Sequence, residues 1–205
     1  MKKKYLSQLI SLLVASTAAQ GLLTTHALAV SGTVIDSAFT SINVAGTNDS
    51  LHITDTGSIT GAPTTALTVE QNATLATLLN DGTISDDGIN GNNYGVNIVQ
   101  INGAVTTFEN TGTISSINQY HYGSIVAVGA SGEIDNFTNS GTIKNASDNF
   151  NPGINNTGAI TNAGYIKTLT NTADGKITGY SGINNQGRID SLLNAGVITT
   201  NTGDH

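Results

Sequence analysis

A chain of 205 residues of which 10% are charged and 5% aromatic, with neither Trp nor Cys, has the length of one domain but lacks the composition of a compact globular core. Its formal net charge is −7, and with Lys2, Lys3 and Lys4 set aside as the amino end, four basic residues face fourteen acidic ones, a balance of −10. Such a chain has no electrostatic footprint for nucleic acid or anionic lipid, and it cannot carry a disulfide framework.

Residues 1–29 read as a secretory signal peptide. Lys2 to Lys4 form the positive region, Leu6 to Ala19 the apolar region, and Ala27-Leu28-Ala29 an A-x-A site, which places cleavage between Ala29 and Val30. The apolar run falls short of the roughly 20 residues of a membrane span, and Gln20, Thr24, Thr25 and His26 follow it. Export through the inner membrane is therefore expected, to the periplasm, cell surface or exterior, with no stable membrane insertion by this segment. Residues 30–68 alternate in places. Ile53, Asp55, Gly57 and Ile59 form one motif, but Gly61-Ala62-Pro63 interrupts the strand pattern. They are expected to form an amino-terminal cap and a first degenerate coil, because terminal repeats of a solenoid are atypical.

From residue 69 to 205 one double phrase recurs, apolar-x-Asn-x-Gly-x-apolar written twice. It is clearest at Ile183, Asn185, Gly187, Ile189 followed by Leu192, Asn194, Gly196, Ile198. Copies beginning at Val69, Val99, Val128, Ile160 and Ile183 are separated by 30, 29, 32 and 23 residues. A constant core with variable connections marks a stacked repeat. Spacings of two put the four named positions of each phrase on one side of an extended chain. The offset of three between Ile189 and Leu192 reads as a bend between two seven-residue strands, with the connection supplying a third side. The expectation is an all-β, right-handed parallel β-helix, a three-sided solenoid of about five coils, ending without a cap. Asn-x-Gly has two structural uses there. Asn can stack on Asn as an amide ladder, or Asn and Gly can mark a corner through their tolerance of left-handed backbone.

Little in the chain resembles reaction chemistry. Gly129-Ala130-Ser131-Gly132 and Gly179-Tyr180-Ser181-Gly182 each fall one residue short of G-x-S-x-G, and beyond the leader only His52, His121 and His205 could serve as bases. Asp86-Asp87, which alternate to opposite faces, and Glu133 with Asp135, which share a face beside Ile134, are the candidate carboxylates for glycan chemistry, and solvated outward acids are the ordinary alternative. Calcium motifs are missing, since no Gly-Gly occurs and the oxygen-rich stretch 86–93 lacks the EF-hand order. No catalytic, metal or cofactor site is assigned. Sequons at Asn48, Asn72, Asn136 and Asn145 are expected by chance in a chain so rich in Asn, Ser and Thr. The candidate partner contact is Tyr120-His121-Tyr122, whose two rings can share one face for stacking on a sugar or anchoring in a protein.

A signal peptide, no cysteine, and reiterated Asn-x-Gly-x-Ile-x-x-Leu-x-Asn-x-Gly-x-Ile together resemble the amino-terminal part of an autotransporter passenger of the type V secretion class of Gram-negative bacteria. Haemagglutinin-type exoproteins of two-partner secretion are similar. The resemblance implies an adhesive or structural surface segment, of the kind associated with virulence, that contacts a host or neighbouring-cell glycan or protein. It also implies a carboxyl-terminal outer-membrane β-barrel, whereas this chain stops at His205 just after a repeat, as a truncated product would. Self-association through the uncapped coil is the corresponding expectation. The alternative is a carbohydrate-active or ester-hydrolysing β-helix passenger whose site is missing or cryptic here.

Overall fold

The structure, a computed structural model, describes residues 26–28, 32–61, 64–86, 96–117, 123–146 and 158–200. These residues contain strands and no helix, arranged as successive three-strand rungs. The first two rungs are β1 (His26–Leu28), β2 (Thr33–Ile35) and β3 (Ala38–Thr40), then β4 (Ile42–Val44), β5 (Thr47–Ile53) and β6 (Ser58–Gly61). The next two are β7 (Leu67–Val69), β8 (Thr74–Asn80) and β9 (Thr83–Asp86), then β10 (Val99–Ile101), β11 (Ala104–Asn110) and β12 (Thr113–Ser116). A fifth holds β13 (Val126–Val128), β14 (Glu133–Asn139) and β15 (Thr142–Asn145), and a sixth β16 (Ile160–Asn162), β17 (Tyr165–Asn171) and β18 (Lys176–Gly179). The last is β19 (Ile183–Asn185), β20 (Arg188–Asn194) and β21 (Val197–Thr200).

Every third strand joins the same sheet, which gives three parallel 7-stranded sheets: A from β1 to β19, B from β2 to β20 and C from β3 to β21. This is a three-sided parallel β-helix. It has seven rungs among the described residues, two more than the five coils expected. The surplus comes from residues 32–61, expected as a cap and one coil. Their Asn-x-Gly wording is degenerate, but Ile35, Ile42, Val44, Leu51, Ile53 and Ile59 are all buried and continue the interior columns. Burial of aliphatics in register is enough to recruit a rung. The strand β1 overlaps the expected leader and pairs His26 with Ile42 and Leu28 with Val44, while Ala29 and Val30 lie outside the described residues.

The strand boundaries differ from the sequence reading. No corner separates Ile189 from Leu192; β20 continues through both, and the chain turns at Gln186-Gly187 and Ala195-Gly196. Each seven-residue phrase therefore straddles a corner. The offset of three is absorbed inside sheet B. In β8, Leu75 and Leu78 both point inward with two less buried residues between them, and pairing to β11 passes from Leu75↔Val105 to Thr77↔Thr107 without a partner for Ala76. The same kink recurs in β11, β14, β17 and β20, where pairing likewise omits the third residue of the strand. Stacking an irregularity on its own copies keeps the inward columns continuous.

The corners explain the glycines. A Cβ added at Gly141 would drive into the Gly112 carbonyl oxygen, and one at Gly112 into that of Gly82, so only hydrogen fits where successive turns nest. At the same corner the main-chain N–H groups of Thr111, Ser140, Thr172 and Ala195 donate to the carbonyls of Asn80, Asn110, Asn139 and Asn171 at 2.8–2.9 Å.

Inside, columns run the length of the stack. Ile59, Ile84, Ile114, Ile143 and Ile177 line sheet C with no exposure, and Ile198 packs partly buried beyond them. In sheet B the column is Leu51, Leu78, Phe108, Phe137 and Leu169, and the two rings stack with centroids 4.4 Å apart. Beside it the asparagines form a ladder. Asn80 Nδ2 donates to Asn110 Oδ1 at 2.7 Å, Asn110 to Asn139 at 2.7 Å, Asn139 to Asn171 at 2.8 Å and Asn171 to Asn194 at 2.9 Å. The preceding rung has Ile53 at this position, so Asn80 Oδ1 is a buried acceptor without a donor. A second, shorter pair links Asn162 to Asn185 in sheet A at 2.7 Å. The ladder use of Asn-x-Gly is realised; the glycine does stand at the corner, but among the described residues its backbone there is not left-handed, and close nesting of successive turns is what requires it.

Candidate contact surfaces

With the interior filled by the repeat, chemistry is left to the corners and the outer columns. The longest connections, from β9 to β10, β12 to β13 and β15 to β16, leave three consecutive rungs at the corner from sheet C to sheet A. Their bases are buried and polar. Asp86, 4% exposed, accepts from Ser116 Oγ at 2.5 Å and from the Ile117 N–H at 2.9 Å, which bridges two rungs. The alternation of a strand sets Asp86 and Asp87 on opposite faces, with solvated outward acids as the ordinary reading. Asp86 is the inward one, because the alternation from Ile84 continues through it and hydrogen bonds from the next rung compensate for its burial. Asn145 Nδ2 reaches the Gly123 carbonyl at 3.3 Å, and Ser124 receives Asn97 Oδ1 on its N–H at 2.8 Å and donates its hydroxyl to Thr161 at 2.8 Å. The returning limbs stack as well, Ile98 N–H on Ser124 O at 3.1 Å and Ile125 N–H on Ala159 O at 3.1 Å. This corner is a fixed frame for three neighbouring connections. Tyr120, His121 and Tyr122 belong to the middle one and, like Asp87, lie outside the described residues.

The outer face of sheet B carries the paired ions. His52 Nε2 lies 2.7 Å from Asp81 Oδ2, and Thr111 Oγ1 donates to Asp81 Oδ1 at 2.5 Å. The Thr111 hydrogen bond, with His52 behind it, holds the Asp81 carboxyl below its usual value. Further along, Tyr165 OH donates to Asp190 Oδ2 at 2.6 Å, Arg188 Nε donates to Asp190 Oδ1 at 2.5 Å, and the guanidinium lies 5.4 Å from the Tyr165 ring centroid. Asp190 is lowered by the bonds from Tyr165 and Arg188, and Tyr165 is raised by its bond to Asp190, so the phenol keeps its proton at neutral pH. The repeat already contained this cluster. Tyr165 and Arg188 each precede the first isoleucine of a sheet B strand, and aligning the phrases by their isoleucines puts them side by side.

These groups are hydrogen-bonded to one another. No serine reaches His52 among the described residues. Ser131 donates to the Asn102 carbonyl at 2.8 Å as a turn residue. Glu133 and Asp135 both face solvent on β14, and among the described residues no group of three His, Cys, Asp or Glu could hold a metal ion. Of the sequons, Asn48 and Asn145 are buried, and Asn72 takes a left-handed turn conformation with φ 67°.

Fold and surface define a three-sided parallel β-helix with an amide-laddered interior. No known family model matches the chain, and no curated protein or solved structure matches it.

Proposed function

We propose that this chain is an exported, surface-exposed or secreted passenger segment of the autotransporter type, structural and adhesive, with no catalytic activity of its own. The observation that carries the reading is how the repeated residues are used. Asn, Gly and the aliphatic columns all serve the stack, and variation is confined to outer columns and to one corner where three connections leave adjacent rungs. A rigid rod of that kind presents many weak contacts in parallel, and multivalency turns such contacts into adhesion. Candidate partners are glycans or proteins of a host or neighbouring cell, met through the corner that includes Tyr120, His121 and Tyr122.

The test is retention of beads coated with the purified protein on cell monolayers and on bacteria, against beads bearing an unrelated protein of equal negative charge. Retention no greater than that control defeats the adhesive reading. The enzymatic alternative is tested in parallel by release of reducing ends from acidic polysaccharides. Turnover that disappears with Asp135→Asn would replace the non-catalytic reading.

A further inference from the structure

Of the three faces, sheet C has a distinct outer surface. Its register superposes Thr83 on Thr113, Thr113 on Thr142 and Thr142 on Lys176 in one column, and Ser85 on Ser115, Ser115 on Lys144 and Lys144 on Thr178 in the other. Strand spacing of about 4.8 Å and an alternate-residue rise of about 6.6 Å make this a grid of hydroxyls carrying two ammonium groups, continued on the last rung by Val197 and Thr199. Lys144 and Lys176 are exposed and sit diagonally on neighbouring rungs.

Two further observations separate this grid from an ordinary solvated sheet. First, no carboxylate occupies an outward position of sheet C among the described residues. Asp49, Glu109, Glu133, Asp135 and Asp190 all stand on sheet B, and Asp86, the one acid on a sheet C strand, is buried. Second, neither lysine has an ion-pair partner among the described residues, although Asp174 lies two residues before Lys176 in the adjoining corner.

We infer that the outer face of sheet C binds an extended acidic polysaccharide, a polyuronate chain. Lys144 and Lys176 pair with its carboxylates, and the serine and threonine columns exchange hydrogen bonds with its ring hydroxyls. Charge complementarity selects this occupant. In a chain with a balance of −10 a polyanion is repelled generally, and this face, which among the described residues has no outward acid and two unpaired cations, is where that repulsion is locally reversed. The hydroxyl grid favours a polyol over a bare polyanion. This inference rests on the adhesive reading and specifies one ligand class and one face for it.

The experiment is binding of polygalacturonate oligomers to the purified protein, with their methyl esters and inorganic polyphosphate as comparison probes. Each exposed lysine–carboxylate contact is worth roughly a factor of two to five, so Lys144→Gln with Lys176→Gln weakens polygalacturonate binding about tenfold. Lys167→Gln with Arg188→Gln, which removes the same charge from sheet B, leaves it unchanged. Thr113→Val, which keeps the shape and removes one hydroxyl, weakens it about two- to fivefold. The methyl ester binds no better than the double lysine variant. Equal losses from the two double variants, or polyphosphate binding as tightly as polygalacturonate, would overturn the inference in favour of unspecific charge. No polygalacturonate binding by a protein that still retains beads on cells overturns this inference and leaves the adhesive reading standing. Failure of both assays ends both.

Discussion

The asparagine ladder can be tested at its middle. Asn110 is fully buried, accepts from Asn80 and donates to Asn139, both at 2.7 Å. Replacing it with leucine keeps the γ-branched shape, with somewhat larger methyl groups, but leaves Asn139 Oδ1 without its donor and removes the short bond of Asn80 Nδ2, which keeps only a longer contact to the Thr113 carbonyl at 3.3 Å. A buried polar group stripped of its partner costs about 1–3 kcal/mol. With two such groups and some recovery from the added apolar surface, Asn110→Leu is expected to destabilise by about 2–5 kcal/mol. At the last rung Asn194 is exposed, and Asn171 Nδ2 would keep the Gly175 and Val197 carbonyls at 3.2 and 3.3 Å. Asn194→Leu should therefore cost only about 0.5–1.5 kcal/mol. Urea unfolding of the two variants measures the difference, and amide hydrogen exchange locates it, since a stacked repeat weakens most at the broken interface. If Asn110→Leu costs no more than Asn194→Leu, the ladder is incidental to the stack.

Further outcomes follow from other positions. Gly141→Ala should cost about 1–3 kcal/mol because the new methyl meets a backbone oxygen of the neighbouring turn; an alanine that melts with the parent would mean that the corners are not close-nested. Ile143→Asp, which buries an unpaired charge at a fully buried position, should unfold its neighbouring rungs, whereas Thr142→Asp on the outer face should be mild; circular dichroism showing equal effects would reverse the register. Because the folded Asp81 carboxyl lies below its unfolded value near 3.8, its contribution is fully present above that pH and is lost as pH falls through the lower folded value. Asp81→Asn should accordingly lessen the acid sensitivity of unfolding below about pH 4, and an unchanged acid limb would rule out the pairing. Ala29→Arg should leave a leader-bearing precursor, with parent material beginning at Val30; amino-terminal sequencing that finds Met1 in exported parent protein would contradict the cleavage site.

Periodicity made the architecture readable because a stack repeats its interior in sequence. Ile84, Ile114, Ile143 and Ile177 occupy one column in space for the same reason that they recur in the text. The strand ends were harder to read. The offset from Ile189 to Leu192 breaks a period of two, and a bend is its simplest local cause; only stacking with neighbouring rungs makes a shared kink a workable alternative. The early rungs were partly hidden because their inward residues persist while the Asn-x-Gly wording fades, leaving Asp55 and Gly57 as its trace. The burial of Asp86 could not be read locally, since its donors, Ser116 and the Ile117 N–H, belong to the following rung. Similarly, Lys144 and Lys176 become neighbours only once the register is known.

The corner beside the ladder has an electrical consequence. The asparagine amides donate toward the carboxyl-terminal end, Asn80 to Asn110 to Asn139 to Asn171 to Asn194. The main-chain N–H groups next to them donate the opposite way, Thr111 to Asn80, Ser140 to Asn110, Thr172 to Asn139 and Ala195 to Asn171. Two strings of aligned dipoles thus run antiparallel along one edge. In a helix the peptide dipoles add, concentrating partial charge at the ends. Here each added rung lengthens both strings, so the amide string opposes part of the field that the main-chain bonds of this corner would otherwise build up toward its tips.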